Sequence, residues 1–432
     1  MYMYKKLLLL QALLAATLFC NAQISANFKA PVADTLSLSI DSTEALFLRN
    51  NFLLLAQKYS IDIAKAQVIQ ARLYPNPNFN FSTTVYNPIT KKIFPLSNEG
   101  EVISSISQMI LLAGKRNKLV HIAEANVQLN EFQFFDLIRT LKYTLRTDFF
   151  NIYYLQQSAK VYDSEIKALT QIVAAFETQK GKGYISQKEV IRIKALLYSF
   201  KSEYNDLNNK ISDVQSELRL LIQVKPSVYI MPAITNAAIT QLDPLKFSLA
   251  TLLDTAYTHR TDLLIAKQNT TINKLNYTYQ KALAVPDITA NLSYDQQGSY
   301  VKNLSMAGFA IDLPFFNRNQ GNIKAAKISI DAATTSQKSV AAAVEENITR
   351  SLQKAISQDK LFKDIDPSFS TDFDILMKEI VINYQKRNIS ILEFLDFYDS
   401  YKQNILQINS IQFNRVSAFE DLNFYTANNF FN

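Results

Sequence analysis

The chain has 432 residues, a net charge of +7 and 12% aromatic residues, yet only seven glycines, one cysteine and no tryptophan. So little glycine argues against an α/β enzyme with its many tight turns, and one cysteine excludes an internal disulfide framework. The charge is scattered rather than gathered into a basic run, so nothing in it points to nucleic acid.

Residues 1–22 read as an export signal. Lys5 and Lys6 precede an apolar run from Leu7 to Phe19, and Ala22 offers a small residue for cleavage before Gln23. That run is too short to cross a bilayer as a helix. The alternative is lipidation at Cys20, against which the bulk of Phe19 stands. Cleavage removes the only cysteine and with it any thiolate chemistry. No later stretch reaches 18 apolar residues, so a mature chain that enters a membrane must do so as strands of a closed barrel.

Two similar halves make up the rest, residues 23–225 and 246–432, joined by the proline-containing segment 226–245. In the first, after a flexible start, Ser42-Thr43-Glu44 opens a helix running to Ala71, which Pro75 and Pro77 stop. A β-hairpin over 78–112 comes next. Phe79, Phe81 and Val85 alternate with Asn78, Asn80, Ser82 and Thr84, giving a strand with one apolar and one polar face, and Val102–Leu112 is its partner after the loop Pro88–Gly100. Beyond the turn Gly114-Lys115-Arg116-Asn117 there is no proline or glycine until Gly181, which allows a helix of ~100 Å. Its far end is the tip Gly181–Ser186. The returning helix carries Val190, Ile193, Leu197, Phe200, Tyr204, Leu207, Ile211, Val214, Leu218 and Leu221 at alternating spacings of three and four, a seam that demands a partner helix.

The second half repeats this order. Arg260-Thr261-Asp262-Leu263 opens a helix to Ala282, stopped by Pro286, and a hairpin over 287–314 comes after it. There Ile288 and Leu292 alternate with Thr289, Asn291 and Ser293, and Phe309 and Ile311 with Gly308, Ala310 and Asp312. The long helix from about Asn322 is interrupted at Asp364-Ile365-Asp366-Pro367, where Asp366 is the expected cap of a restart. A second tip spans 386–390. Two hundred and four residues after the first seam comes its counterpart: Phe394, Phe397, Tyr401, Asn404, Ile408, Ile411, Arg415, Ala418, Leu422 and Tyr425.

Four strands cannot close a barrel, and a sheet edge cannot face lipid. Two copies would give eight strands with a filled interior, and three would give twelve with a lumen. The expected fold class is therefore an α+β membrane protein. Its long helices project from one face of the membrane, and each protomer lends four strands to a barrel shared with further copies. That the assembly is a twelve-stranded trimeric barrel with a periplasmic helical tunnel is what the resemblance described next implies.

At this point the sequence resembles the TolC-like outer membrane efflux protein family over essentially the whole mature chain. The resemblance is carried by Leu73-Tyr74-Pro75-Asn76-Pro77, Arg260-Thr261-Asp262-Leu263, Phe316-Asn317-Arg318-Asn319-Gln320-Gly321 and the two Ile-Ser tips. Gly114-Lys115-Arg116 with the second of those turns is similar to the heavy-metal cation exporters of that family. The resemblance implies a homotrimeric outer-membrane exit duct of a tripartite efflux pump. Its partners would be a periplasmic adaptor and an inner-membrane RND-type transporter, its surroundings outer-membrane lipid, and its cargo heavy-metal cations or small toxic compounds. An outer-membrane duct for type I protein secretion shares this fold. From a different class, the alternative is a non-transporting helical scaffold of the cell envelope.

The resemblance also assigns sites. Glu393 and Asp396, three apart and hence on one helix face, match the acidic residues that constrict the periplasmic entrance, and Glu189 matches a third. Without the family, the residues alone favour the solvated face of a helix. Gly183, Tyr184, Ile185 and Ser186 on one tip, and Asn388, Ile389 and Ser390 on the other, match the positions where adaptor hairpins dock. The family's gate arginine falls at Ile389 here, leaving Lys386 or Arg387 as substitutes. On the strands Phe79, Phe81, Val85, Ile288, Leu292, Phe309 and Ile311 are expected to face lipid, and Asn80, Ser82, Thr289, Asn291 and Ser293 the lumen. No catalytic constellation, cofactor loop or metal cluster stands out, and His121 and His259 read as structural residues on unrelated segments.

Overall fold

A computed structural model describes residues 34–95, 99–234, 242–298 and 300–431. The expected signal over 1–22, including Cys20, lies outside these residues. In chain order the elements are β1 (Thr35–Leu38), α1 (Ile40–Asn50), α2 (Phe52–Ala71), β2 (Asn78–Thr83), β3 (Tyr86–Asn87), β4 (Lys92–Ile93) and β5 (Val102–Ile110). Next come α3 (Lys115–Gly181), α4 (Gln187–Ile222) and β6 (Tyr229–Pro232). The second half runs α5 (Leu249–His259), α6 (Thr261–Leu283), β7 (Ile288–Asp295), β8 (Leu304–Ile311), α7 (Gln320–Lys363), α8 (Phe369–Gln385) and α9 (Ile391–Thr426).

The uninterrupted reach from Lys115 becomes α3, 67 residues of unbroken helix and ~100 Å at 1.5 Å per residue. The seam of α4 packs as its spacing demands: Val190, Ile193, Leu197, Phe200, Ile211 and Leu218 are all buried. Towards the tip they meet Tyr162, Leu169, Ile172 and Phe176 of α3 and Tyr384, Phe394 and Tyr398 of the second half, so the two helical hairpins share one core there. The aromatic rings make this core continuous. Tyr384 stacks on Phe394 with centroids 4.3 Å apart and lies 5.3 Å from Phe176.

Several expectations need correction. The helix expected to run from Ser42 to Ala71 is two, α1 and α2, broken at Asn51. The Asn51 backbone is extended and its carboxamide caps α2 by accepting from the Leu53 and Leu54 amides. The second half breaks likewise at Arg260, between α5 and α6. At the start, Thr35–Leu38 is not loose chain: it pairs in parallel with Tyr229–Pro232, so the segment joining the halves contributes a strand. The loop Pro88–Gly100 contains β4, which pairs with β3 in a small hairpin. Asp366 does accept the Ser368 amide, but a turn intervenes and α8 begins only at Phe369. In the second seam, Tyr398 rather than Phe397 is buried, and Arg415 is completely enclosed.

The strands β2, β5, β7 and β8 form a four-stranded antiparallel sheet in that order, with β2 and β8 at its edges. Residues opposite each other across an antiparallel pair share a face. The register aligns Phe79 with Ile106, Ile106 with Leu292, and Leu292 with Ala307. Phe81, Ile288, Phe309 and Ile311 fall on this same face. The other face takes Asn80, Ser105, Ser293 and Met306 in one row, with Ser82, Thr289 and Asn291 in adjacent rows. Val85 lies beyond the end of β2 and belongs to neither row.

Candidate functional site

The connectivity puts the sheet at one end of α3 and the tips at the other, so two regions carry the candidate site. At the sheet end, each long helix starts from a left-handed residue, Gly114 before α3 and Asn319 before α7. Lys115 is buried there against Asp287 at 2.6 Å, and Asp287 also accepts the Leu112 amide, which ties the end of β5 to the start of β7. The Asn319 carboxamide donates to Gln280 and ties the second turn to α6.

Both tips are built by the same local rules. After α3, the Gly183 amide bonds the Lys180 carbonyl and the Tyr184 amide that of Gln179, with Gly183 left-handed at φ +76°. This paired closure is a Schellman ending. After α8, the Arg387 amide bonds Tyr384 and the Asn388 amide bonds Asn383, with Arg387 left-handed at φ 64°. The second tip thus sets an arginine where the first has glycine. The Arg387 guanidinium donates to the Tyr184 carbonyl and joins the two tips.

Each returning helix then starts with a capping box. Ser186 accepts the Glu189 amide while Glu189 accepts the Ser186 amide at 2.9 Å; Ser390 and Glu393 repeat this, with the return bond at 2.7 Å. The sequence carries the signal for this as Ser-x-x-Glu at both tips, a reciprocal N-terminal cap that a gate assignment alone does not reveal. Hydrogen bonds from Ser186, reinforced by Arg387, hold the Glu189 carboxyl below the ordinary carboxylate range, and those from Ser390 do the same for Glu393. Asp396 lies on the next turn of α9 and is exposed. Of the expected docking residues, Ile185 and Ile389 pack onto the shared core, while Tyr184 and Asn388 are exposed.

Further along the hairpins from the tips, charged contacts cross between the two halves. Lys402 of α9 reaches Glu203 of α4 at 2.9 Å, and the Tyr162 hydroxyl donates to the same carboxylate at 2.9 Å. Burial opposes ionisation of Glu203, but Lys402, Tyr162 and Ser199 together hold its carboxyl below its usual value. Within the second hairpin, the Tyr401 hydroxyl donates to Asp374 at 2.6 Å. These long-range pairs have no signature in sequence. His121 contacts Glu124 on the same helix, and the His259 ring contacts the Thr255 carbonyl. Among the described residues no group of three metal-ligating side chains converges, and no helix is long and apolar enough to cross a membrane.

The chain is similar to several known proteins. Residues 45–222 match the outer membrane efflux protein family. The cobalt-zinc-cadmium resistance protein CzcC of Cupriavidus metallidurans is 23% identical over 300 residues, 68% of each chain. Among solved structures, the Campylobacter jejuni CmeC outer membrane channel aligns with a TM-score of 0.73 at 14% identity, covering 90% of this chain and 85% of that one. Structures of CusC, described in terms of transmembrane channel formation, align at 0.72 and 16% identity, covering 90% and 91%.

Proposed function

We propose that this chain, whose residues 45–222 match the outer membrane efflux protein family, is the outer-membrane exit duct of a tripartite efflux pump. The observation that carries this is the sheet. Its two edge strands, β2 and β8, have no further strand beside them among the described residues, and its faces are divided into an apolar row set and a polar one. A sheet with open edges needs more strands to close, and three copies supply twelve, enough for an aqueous lumen. The shared succession of elements in the two halves fits an internal duplication. In this reading the protein is a homotrimer in the outer membrane with α3, α4, α7, α8 and α9 as its periplasmic tunnel. Phe79, Phe81, Ile288, Leu292, Phe309 and Ile311 face lipid. The tips meet a periplasmic adaptor that connects to an inner-membrane RND-type transporter. Heavy-metal cations are the favoured cargo, on the likeness to the cobalt-zinc-cadmium resistance protein.

Glu393 and Asp396 then ring the periplasmic mouth three times over, with Glu189 close by on the neighbouring tip. Three copies of each carboxylate at a narrow opening favour cations over anions. The capping bonds from Ser390 lower the Glu393 pKa and so favour its charged form.

The test is reconstitution into planar bilayers after native mass measurement in detergent. A trimer that conducts, and whose Glu393→Ala, Asp396→Ala variant conducts more with weaker cation preference, is the expected result. A water-soluble monomer without channel activity would overturn the duct. Unchanged selectivity in a conducting double variant would remove the two carboxylates from the gate and leave Glu393 as a cap only.

A further inference from the structure

The long helices are packed as two bodies with little between them. Towards the tips, one core runs from Tyr162 of α3 and Phe200 of α4 to Met377 of α8 and Tyr398 of α9. Half-buried Leu207 and Leu406 fringe it. On the other side, buried apolar residues resume at Tyr154 of α3, Ile211 of α4, Ala355 of α7 and Ile411 of α9. Between these limits no apolar side chain is buried on any of the helices. The buried residues there, Ser158, Asp359 and Lys402, are all polar.

The gap falls at one level, about 25–40 Å from the tips on every helix when counted at 1.5 Å per residue. At that level α7 ends at Lys363 and α8 starts at Phe369, while α3 runs through unbroken. Pro367 has no amide with which to carry the helix across the break. Two cavities of about 410 and 570 Å³ lie beside the contact of α3 with α9, one towards α4 and one towards α7, and Tyr154 and Asn409 line both. What spans the contact is a hydrogen bond from Asn409 to Ser158 at 3.0 Å. Unfilled space leaves its lining short of packing partners, and a hydrogen bond is readily exchanged for one to water.

We propose that this level is a hinge, with residues 364–368 as its pivot, about which the two tips of one chain swing together as a single body and so set the width of the periplasmic mouth. This rests on the duct reading given above.

The other available motion, one hairpin sliding past its neighbour, would pull the tip core apart. Ring centroids there lie 5.3 Å apart for Phe176 and Tyr384 and 5.8 Å apart for Phe200 and Tyr398, each pair joining the two hairpins. Sliding would also break the Lys402–Glu203 pair and the bond from Arg387 to the Tyr184 carbonyl. Pivoting keeps all of these and moves groups only where packing is already thin. Hinges are the few residues that absorb a backbone change between bodies that stay packed, and residues 364–368 meet that description. The unbroken α3, α4 and α9 need only curve, as long helices do. A swing of ~10° at ~33 Å from the tips carries them ~6 Å sideways. Glu189, Glu393 and Asp396 belong to the swinging body, so their three copies close up or separate together.

Distances within one chain test this. Cysteine pairs at exposed positions are labelled with nitroxides in the full-length protein and diluted with unlabelled chain, and the parent chain labelled alone corrects for Cys20. Gln171→Cys with Glu379→Cys lies within the tip body, Ser212→Cys with Gln353→Cys within the other, and Gln171→Cys with Gln353→Cys spans the hinge. The spanning pair should give a distance distribution about twice as wide as either of the others. Equal widths would mean a rigid bundle, and a tip pair as wide as the spanning pair would mean that the hairpins move separately; either result overturns the inference. Asp366→Ala with Pro367→Ala lets α7 run on into α8, and should narrow the spanning distribution while leaving the tip pair unchanged. A spanning distribution that stays wide in that variant overturns residues 364–368 as the pivot. Should the protein prove a water-soluble monomer, the duct reading falls, and the same three widths still decide whether the tips swing as one.

Discussion

Ile211 and Arg415 occupy the same step of the repeated seam, one in each half, and Asp148 and Leu352 stand in the same relation on the long helices before it. Each half thus buries an ionisable group where the other half has an aliphatic one. The two are treated differently. Arg415, at 0% exposure, donates to Asp359 at 2.8 Å and to the Leu242 carbonyl, and lies 4.4 Å from the Phe362 ring. Asp148 is buried with Oδ2 unpartnered. Burial, with the Glu217 carboxylate nearby, pushes its pKa to about 7. A buried charge is tolerable when its partner is fixed; without one, the group gives up its charge instead. The second half solved its polar insertion by pairing, and the first by protonation.

The largest expected effect comes from separating the pair. Asp359→Ala leaves Arg415 enclosed without its carboxylate, and should destabilise by about 3–5 kcal/mol, read as a drop in the thermal midpoint of the detergent-solubilised protein. Replacing both partners by apolar residues, Asp359→Leu with Arg415→Met, should recover most of that loss, because the second half then resembles the first at this step. A double variant no better than the single one would show that Arg415 is held by its carbonyl and ring contacts rather than by Asp359.

The Asp148 side of the comparison is tested by pH. An unfolded aspartate loses its proton near pH 4, whereas folded Asp148 keeps it to about 7. Between those values the native state binds the extra proton, so stability falls as pH rises from about 4 to about 7 and is level above. Asp148→Asn removes that slope. The variant should melt above the parent at pH 8, and its advantage should shrink towards pH 4. A constant advantage at every pH would trace it to packing.

Much of this architecture was legible because it is periodic. The seam from Val190 to Leu221 buries as its spacing requires, and the alternation in β2 and β7 puts Phe79, Phe81, Ile288 and Leu292 on one face. The break at Asn51 was not legible, because the apolar run Phe52-Leu53-Leu54 hides the cap. The start of α6 at Arg260-Thr261 was read although no side-chain cap marks it, but the short helix α5 before it was not. The parallel pair of β1 and β6 was invisible for another reason: strands of four residues, far apart in sequence, carry too little pattern to find each other. At the tips, acidic residues were seen but one of their jobs was not, since the family resemblance directed Glu189 and Glu393 to the gate while Ser186 and Ser390 claimed them as caps.

The tips allow a smaller and sharper contrast. Gly183 adopts a left-handed backbone freely, and Gly183→Ala should cost about 1–2 kcal/mol although a Cβ would meet nothing nearby. Arg387 already bears that strain. Arg387→Gly therefore relieves backbone strain while giving up the bond to Tyr184, and the two should nearly cancel in the thermal midpoint. A large loss from Arg387→Gly would mean that the link between tips outweighs the strain.

The smallest effect concerns the caps themselves, and it isolates Arg387. In both boxes glutamine can replace glutamate and still accept the serine amide, so Glu189→Gln and Glu393→Gln remove only the charge. Both carboxyls have lowered pKa values in the folded state, so their contribution is present above the unfolded value near 4.3 and is lost as pH falls through the folded value. The readout is hydrogen exchange at the Ser186 and Ser390 amides, which the carboxylates protect. At pH 7 each glutamine variant should speed exchange at its own tip, and the increase should be larger for Glu189, because Arg387 adds its charge there and has no counterpart beside Glu393. Combining Glu189→Gln with Arg387→Gly should erase the excess and leave the two tips alike. If the excess survives that combination, the difference between the tips lies in the αL residue and the Schellman turn rather than in electrostatics, and the guanidinium acts only through the Tyr184 carbonyl.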